Sequence, residues 1–221
     1  MVIGRTLIAG SPYLGVYLRA GDSAVIAAPM IPAAIVRELE RQLGARAVRT
    51  TVAGTEITGA MSALNSHGVV VSADTDDEEI TVLESIAPVF RLRSRYNAVG
   101  NNILVNDHGA VVHPEFTDDA VAKIGRALHV PAHRGTIAGL GTVAMAAVAT
   151  NKGAVIHPRA TPKEAELIGE VLGVPVHRST ANFGVPIVGA CLVANSKGFV
   201  VGRPTTPVEI VHLQEGLDLF D

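Results

Sequence analysis

A short apolar run, a polar turn and a second apolar run recur four times in this chain. They read ALNSHGVVVSA from Ala63, ILVNDHGAVVHP from Ile103, VATNKGAVIHP from Val148 and LVANSKGFVVGRP from Leu192. Two β-branched runs joined by an Asn/Asp/Gly turn predict a hairpin, because Asn and Gly tolerate the positive φ that such turns use. The turn glycines Gly68, Gly109, Gly153 and Gly198 lie 41, 44 and 45 residues apart. A unit of this size cannot bury its apolar face alone and is stabilised by packing on its neighbours.

Each hairpin is followed by a predicted helix start. Thr75, Thr161 and Thr206 each stand three residues before a glutamate (Glu78, Glu164, Glu209). In this pattern the Thr hydroxyl and the Glu carboxylate satisfy free amides of the first turn. Pro162 and Pro207 follow at the first helical position, where a missing N–H costs nothing. Thr117 occupies the matching slot without the glutamate but with Asp118 and Asp119, which favour a helix N-terminus. Ile31 and Pro32 fill the slot of the first unit, with Pro32 expected at the first helical position. Val36, Leu39 and Leu43, then Val121, Ile124 and Leu128, then Ala165, Ile168 and Leu172 repeat at three and four, so each helix lays one apolar stripe on a sheet. Pro88, Pro131 and Pro175 end three of the helices, and a further strand follows each of the first four. Five strand-strand-helix-strand repeats of about 41–45 residues therefore account for the chain as one domain, residues 1–221.

A period near 40–45 also suits a WD40 propeller, but this chain has no tryptophan and predicts a helix in every unit. A linear solenoid needs polar end caps, and neither terminal unit differs from the interior ones. With 48% hydrophobic residues the chain can bury a large core, and its net charge of -3 supplies no general field for nucleic-acid phosphates. A protein partner is the expectation, with any RNA contact local and no DNA contact. The single cysteine, Cys191, excludes an intrachain disulfide and suits a reducing compartment. No apolar run reaches the roughly 20 residues of a membrane span, and the N-terminus reads as mature structure. These features predict a cytoplasmic protein without membrane contact.

The phrase GNNILVNDHGAVVHP (Gly100 to Pro114), the preceding RSRYNAVG and the later TNKGAVIHP carry a resemblance. With the order of the repeats from VYLRAGDSAVIAAP to TPVEIVHLQEG, the chain resembles the archaeal translation initiation factor 6 family. The resemblance implies the pentein fold, a five-bladed α/β propeller with pseudo-five-fold symmetry. It further implies a monomeric, non-enzymatic factor, without cofactor or metal. Such a factor binds the large (50S) ribosomal subunit and prevents its association with the small subunit. The implied partner is a ribosomal protein at the intersubunit face, with local rRNA contact.

Loops at one end of a closed ring emerge on one side, so Asn65, Asn106, Asn151 and Asn195 are expected to form a common polar surface. Asn106 leads this set because it matches the Asn of the family's Asn-Asp turn, although turn chemistry alone also places Asn there. Arg95 and Asn97 could reach the partner or rRNA. Arginine recurs at Arg49, Arg134 and Arg178, however, which equally fits a structural role tying adjacent blades. Lys152 and Lys197 are either local basic points near rRNA or solvated turn residues. The pairs His113/His157 and His133/His177 follow from repetition, and their spacing demands no metal. Gly139-Leu140-Gly141 is too short for a nucleotide-binding loop. The rival reading is a pentein-type guanidine-modifying enzyme (deiminase or amidinotransferase) using Cys191, which needs a thiolate beside a base and carboxylates. Cys191 lies instead in the apolar run VPIVGACLVAN, with no His, Asp or Glu nearby in the chain.

Overall fold

The computed structural model of the protein describes residues 4–220; residues 1–3, the first of the N-terminal stretch read above as mature structure, and residue 221 lie outside this range. Among the described residues the first element is β1 (Gly4–Thr6), and the chain then runs repeatedly through one order: a one-turn helix, two antiparallel strands, a longer helix and a third strand. The first unit holds α1 (Leu14–Tyr17), β2 (Leu18–Ala20), β3 (Ala24–Ala27), α2 (Ala33–Leu43) and β4 (Arg46–Arg49). The second holds α3 (Thr58–Met61), β5 (Ser62–Leu64), β6 (Val69–Ser72), α4 (Asp77–Glu84) and β7 (Val89–Leu92). The third holds α5 (Val99–Asn102), β8 (Ile103–Val105), β9 (Ala110–Val112), α6 (Asp118–Leu128) and β10 (Ala132–Arg134). The fourth holds α7 (Val143–Ala146), β11 (Ala147–Ala149), β12 (Ala154–Ile156), α8 (Pro162–Leu172) and β13 (Val176–Arg178). The fifth holds α9 (Val188–Cys191), β14 (Leu192–Asn195), β15 (Gly198–Gly202) and α10 (Pro207–Gly216).

The described residues thus form five three-stranded sheets. In each, the first two strands are antiparallel and the third joins the second in parallel, as a helical crossover requires. The fifth unit takes its third strand from the other end of the chain: β1 pairs in parallel with β15, Gly4 opposite Val200 and Thr6 opposite Gly202. Each one-turn helix touches the next, α1 to α3, α3 to α5, α5 to α7 and α7 to α9, and α9 touches α1. These one-turn helices carry no sequence signal of their own, since four residues are too few for periodicity.

The apolar core is five clusters, each shared by two units. One joins Val193 and Val200 of the fifth unit to Leu39 and Leu43 of the first. Another joins Ile26 and Val48 of the first to Leu64 and Leu83 of the second. Because a cluster is completed only by a neighbour, no unit is a folding unit by itself. The helix stripes behave as their spacing predicts: Val36, Leu39, Leu43, Ile124, Leu128, Ile168 and Leu172 are buried, while Val121 and Ala165 are half-buried.

Two of the helix starts fall one residue later than the spacing predicts. Thr161 and Thr206 do cap α8 and α10 reciprocally with Glu164 and Glu209, and Thr117 caps α6. In the second unit the pair is Asp76 with Glu79, not Thr75 with Glu78. The carbonyl of Thr75 instead accepts from Arg91 Nε, which fixes it before the helix. Pro32 likewise stands at the cap of α2 rather than inside it. The capping glutamates also hold the loops beside them: Glu79 accepts the amides of Ala53 and Gly54, Glu164 that of Gly139, and Glu209 those of Phe183 and Gly184.

Burial would raise the carboxyl of Glu164, but the amides of Gly139 and Thr161 and the hydroxyls of Thr136 and Thr161 outweigh it and hold the group at about 2. A depressed folded-state value adds stability above the unfolded value of about 4.3, and that stability is lost as pH falls toward 2. Replacing Thr161 by alanine is therefore expected to cost about 1 kcal/mol in chemical denaturation. For Glu164→Gln, the gap to wild type should be widest at neutral pH and narrow as the acid limb is entered. A gap that stays constant down to pH 2 would show that the carboxylate charge has no part in it.

Candidate functional site

The first strand of each sheet runs into the polar turn, and the second and third strands both run away from it. The turns therefore lie at one end of the strands, and the third-strand exits and long-helix starts lie at the other. At the turn end, Asn106 is only 5% exposed. Its Oδ1 accepts the amides of His108 (2.9 Å) and Gly109 (3.0 Å), and its Nδ2 donates to Thr150 O (3.0 Å) and to Leu172 O (2.8 Å) at the end of α8. Asn65 repeats the pattern with Asn106 O and Leu128 O, and Asn195 with Gly21 O and Leu43 O. These three side chains are buried and stitch each turn to the C-terminus of the next unit's helix.

The expected common surface of Asn65, Asn106, Asn151 and Asn195 is corrected accordingly. The turn glycines are corrected too. None of Gly68, Gly109, Gly153 and Gly198 has positive φ. A Cβ on Gly109 would overlap Val171 O and one on Gly68 would overlap Ala127 O, so these positions lack a side chain because the neighbouring helix end lies against them. Asn151 is not the equivalent of Asn106; Thr150 is, its hydroxyl accepting the amides of Lys152 and Gly153.

Asn151 belongs to a second set, one position further on, with Asp22, Ser66, Asp107 and Ser196. Ser66 N and Oγ donate to Asp107, Asp107 N donates to Asn151 Oδ1, and Asn151 N donates to Ser196 Oγ. Ser196 N donates to Asp22, and Asn151 Nδ2 donates to both Asp107 and Asp22. Burial would raise the Asp107 carboxyl, but the Ser66 and Asn151 donors hold it below its usual value. This belt, which no single turn reveals when read alone, is the polar relief of the turn end. Lys152 is exposed there, while Lys197 Nζ donates to Asp22 O (2.8 Å) and Gly44 O (2.9 Å).

Beneath the turns, the first strands of all five units line a cavity of about 30 Å³. Arg19 enters it, donating to Gly59 O (2.6 Å), Gly100 O (2.7 Å) and Ser62 O (3.0 Å). Burial pulls its value down to about 10, so it stays charged at neutral pH and is held by backbone carbonyls of the second and third units.

Arg95 and Asn97 follow β7 and so stand at the opposite end from the turns. Arg95 pairs with Glu115, which also accepts from Tyr96 Oη, and its guanidinium lies 4.8 Å from the Tyr96 ring centre. Asn97 is exposed. The arginine series at the third strands is Arg49, Arg91, Arg134 and Arg178, each donating to a carbonyl just before the long helix of its own unit. Arg95 is not its member, and the ties run within units rather than between them. His113 stacks on Tyr96 at 4.1 Å, and His113 and His157 each accept a nearby amide through Nδ1. Cys191 is fully buried, and burial pushes its thiol up to about 12, so it holds no thiolate at neutral pH.

The eIF-6 family model matches residues 3–216. This chain belongs to the eIF-6 family. It is 41% identical over 212 residues to translation initiation factor 6 of Methanoculleus marisnigri, covering 96% of each chain. It is 46% identical over 212 residues to translation initiation factor 6 of Methanocella arvoryzae, again covering 96% of each. With translation initiation factor 6 of Archaeoglobus fulgidus the identity is 44% over 214 residues, covering 96% of this chain and 99% of the relative. The eIF-6 family is a family of translation initiation factors and not of enzymes. No helix among the described residues is long and apolar enough to cross a membrane.

Proposed function

We propose that the five units close into a pentein-type α/β propeller whose turn end binds the large ribosomal subunit and holds off the small one, without catalysis. Kinship with translation initiation factor 6 carries this reading. The belt from Asp22 to Ser196 supports it physically, because an obstacle to subunit joining need only be a rigid body with one adhesive face. In this role Asn65, Asn106 and Asn195 position the turns, and the belt residues with Lys152 and the free edge of Lys197 make the contact. Arg95 and Asn97, at the far end, act there only if the partner wraps around the rim. The partner is a ribosomal protein at the intersubunit face, with rRNA touched locally; a chain of net charge -3 binds mainly through hydrogen bonds and apolar contact. The factor works as a monomer in the cytoplasm.

Sedimentation with separated subunits across a salt series tests this. The protein is expected to travel with the large subunit and to prevent joining. A protein touching one or two phosphates should lose affinity with a log–log salt slope of about one or two, far from the slope near ten of extensive phosphate binders. Subunit joining that proceeds unchanged at saturating protein would sink the reading.

A further inference from the structure

At the end opposite the turns, three units enter their one-turn helices through the same two-residue turn. It is Ala9-Gly10, Ala53-Gly54 and Ala138-Gly139, both residues with positive φ, bridged by Ile8–Ser11, Val52–Thr55 and Ile137–Leu140. The fifth unit departs from them. Between Ala181 and Val185 it carries three residues, Asn182, Phe183 and Gly184, all with positive φ. The inserted residue is an aromatic in a backbone region that side chains with a Cβ rarely adopt, a conformation that persists only where the surroundings impose it.

The surroundings do impose it. Phe183 N and Gly184 N both donate to the capping carboxylate of Glu209, and Asn182 is tied to Thr205 and donates to Pro12 O. Yet the Phe183 side chain is 81% exposed. Val208, on the first turn of α10 beside Glu209, is 65% exposed, and Tyr13, next to Pro12, is partly exposed. A rigid backbone thus presents an apolar anchor to solvent beside other uncovered apolar surface.

Two cations near this anchor lack a carboxylate partner, and the carboxylate beneath it, Glu209, is taken up by amides and hydroxyls. Arg91 and Arg134 pair with Asp77 and Asp118, each at the first position of the long helix in its own unit. In the unit of Arg178, on the strand leading into the Phe183 turn, that position is Pro162, which offers no carboxylate, and Arg178 Nε donates to the carbonyl of Ala160. Arg203 follows Gly202, which packs on Asn182, and is exposed; among the described residues neither Arg178 nor Arg203 has an ion pair.

We infer that this patch, at the end away from the turn belt, is a second docking site, for an acidic protein segment that carries an aromatic or aliphatic anchor residue. The exposed aliphatic surface of Val208 and a patch with only two cations, Arg178 and Arg203, favour such a segment over RNA, which would need a wider basic field. The anchor packs on Phe183 and Val208, and the carboxylates meet Arg178 and Arg203.

Selection from a displayed random dodecapeptide library on the full chain tests this without presuming a sequence. Selected peptides are expected to combine Asp or Glu with Phe, Leu or Trp. As synthetic peptides they should bind wild type at least tenfold more tightly than Phe183→Asp or the Arg178→Glu/Arg203→Glu double variant. These residues are exposed, and an unchanged circular dichroism spectrum and melting temperature would show that the variants fold. Phe183→Tyr should retain binding. Peptides without the acidic-apolar signature, equal binding to the variants, or tighter binding of a dodecameric oligouridylate than of any selected peptide would each overturn the inference.

Discussion

Asn106→Ala is expected to destabilise the protein by about 3 kcal/mol or more, a large part of the stability of an ordinary domain. The side chain is buried and its four hydrogen bonds are all to backbone groups, two in its own turn and two in the next unit. Removing the amide leaves His108 N, Gly109 N, Thr150 O and Leu172 O without it, and each unpaired buried group costs about 1–3 kcal/mol unless water reaches it. Asn106→Thr should lose roughly half as much, because Thr150 shows how a hydroxyl keeps the two amides of the turn but cannot reach the next helix. Urea denaturation would separate the three proteins by their midpoints at constant slope. An alanine variant within about 0.5 kcal/mol of wild type, the range of ordinary surface substitutions, would show that water replaces this side chain.

Gly109→Ala should be at least as damaging, with a loss of about 3 kcal/mol or more, at or beyond the upper range for overpacking. The added methyl would overlap Val171 O, and both sides of that contact are backbone: the end of the polar turn leading into β9 on one side and the last turn of α8 on the other. No rotamer change relieves it, so the third and fourth units must part. The first unit carries Ala24 at the same place, and the exception has a cause. By the same register Ala24 faces α4, which has 8 residues where α2, α6 and α8 have 11. A near-neutral Gly109→Ala would mean that α8 can retreat as α4 does, and that the seam between units is softer than its geometry implies.

Much of each unit is legible from residues within one turn or one helix. The reciprocal caps at Thr161 and Thr206, the apolar stripes and the strand pairs depend on groups a few residues apart, so spacing alone reports them. Spacing misplaces the cap at Thr75 by one residue because an adjacent aspartate offers a competing one. A local pattern cannot rank two acceptors whose difference lies in Arg91 holding the Thr75 carbonyl. Asn151 is misaligned for a related reason: TNKG and VNDHG match by residue type, while the structure matches them by the atom that accepts the turn amides. Arg95 passes for a member of a series that belongs to Arg91, since arginines are frequent in that stretch and only the carbonyl each one reaches tells them apart.

Repeated α/β modules of about 41–45 residues, and the start of each long helix to within a residue, are written in the chain, because they follow from local torsions, caps and periodicity. Three outcomes are not: that β1 completes the fifth sheet, that the turn asparagines face inward, and that Arg19 lies among the carbonyls of two other units. Those contacts join groups from 40 residues apart to nearly the whole chain length apart. No residue's own preference specifies them; they arise in the folded molecule, when five incomplete apolar faces are covered by one another.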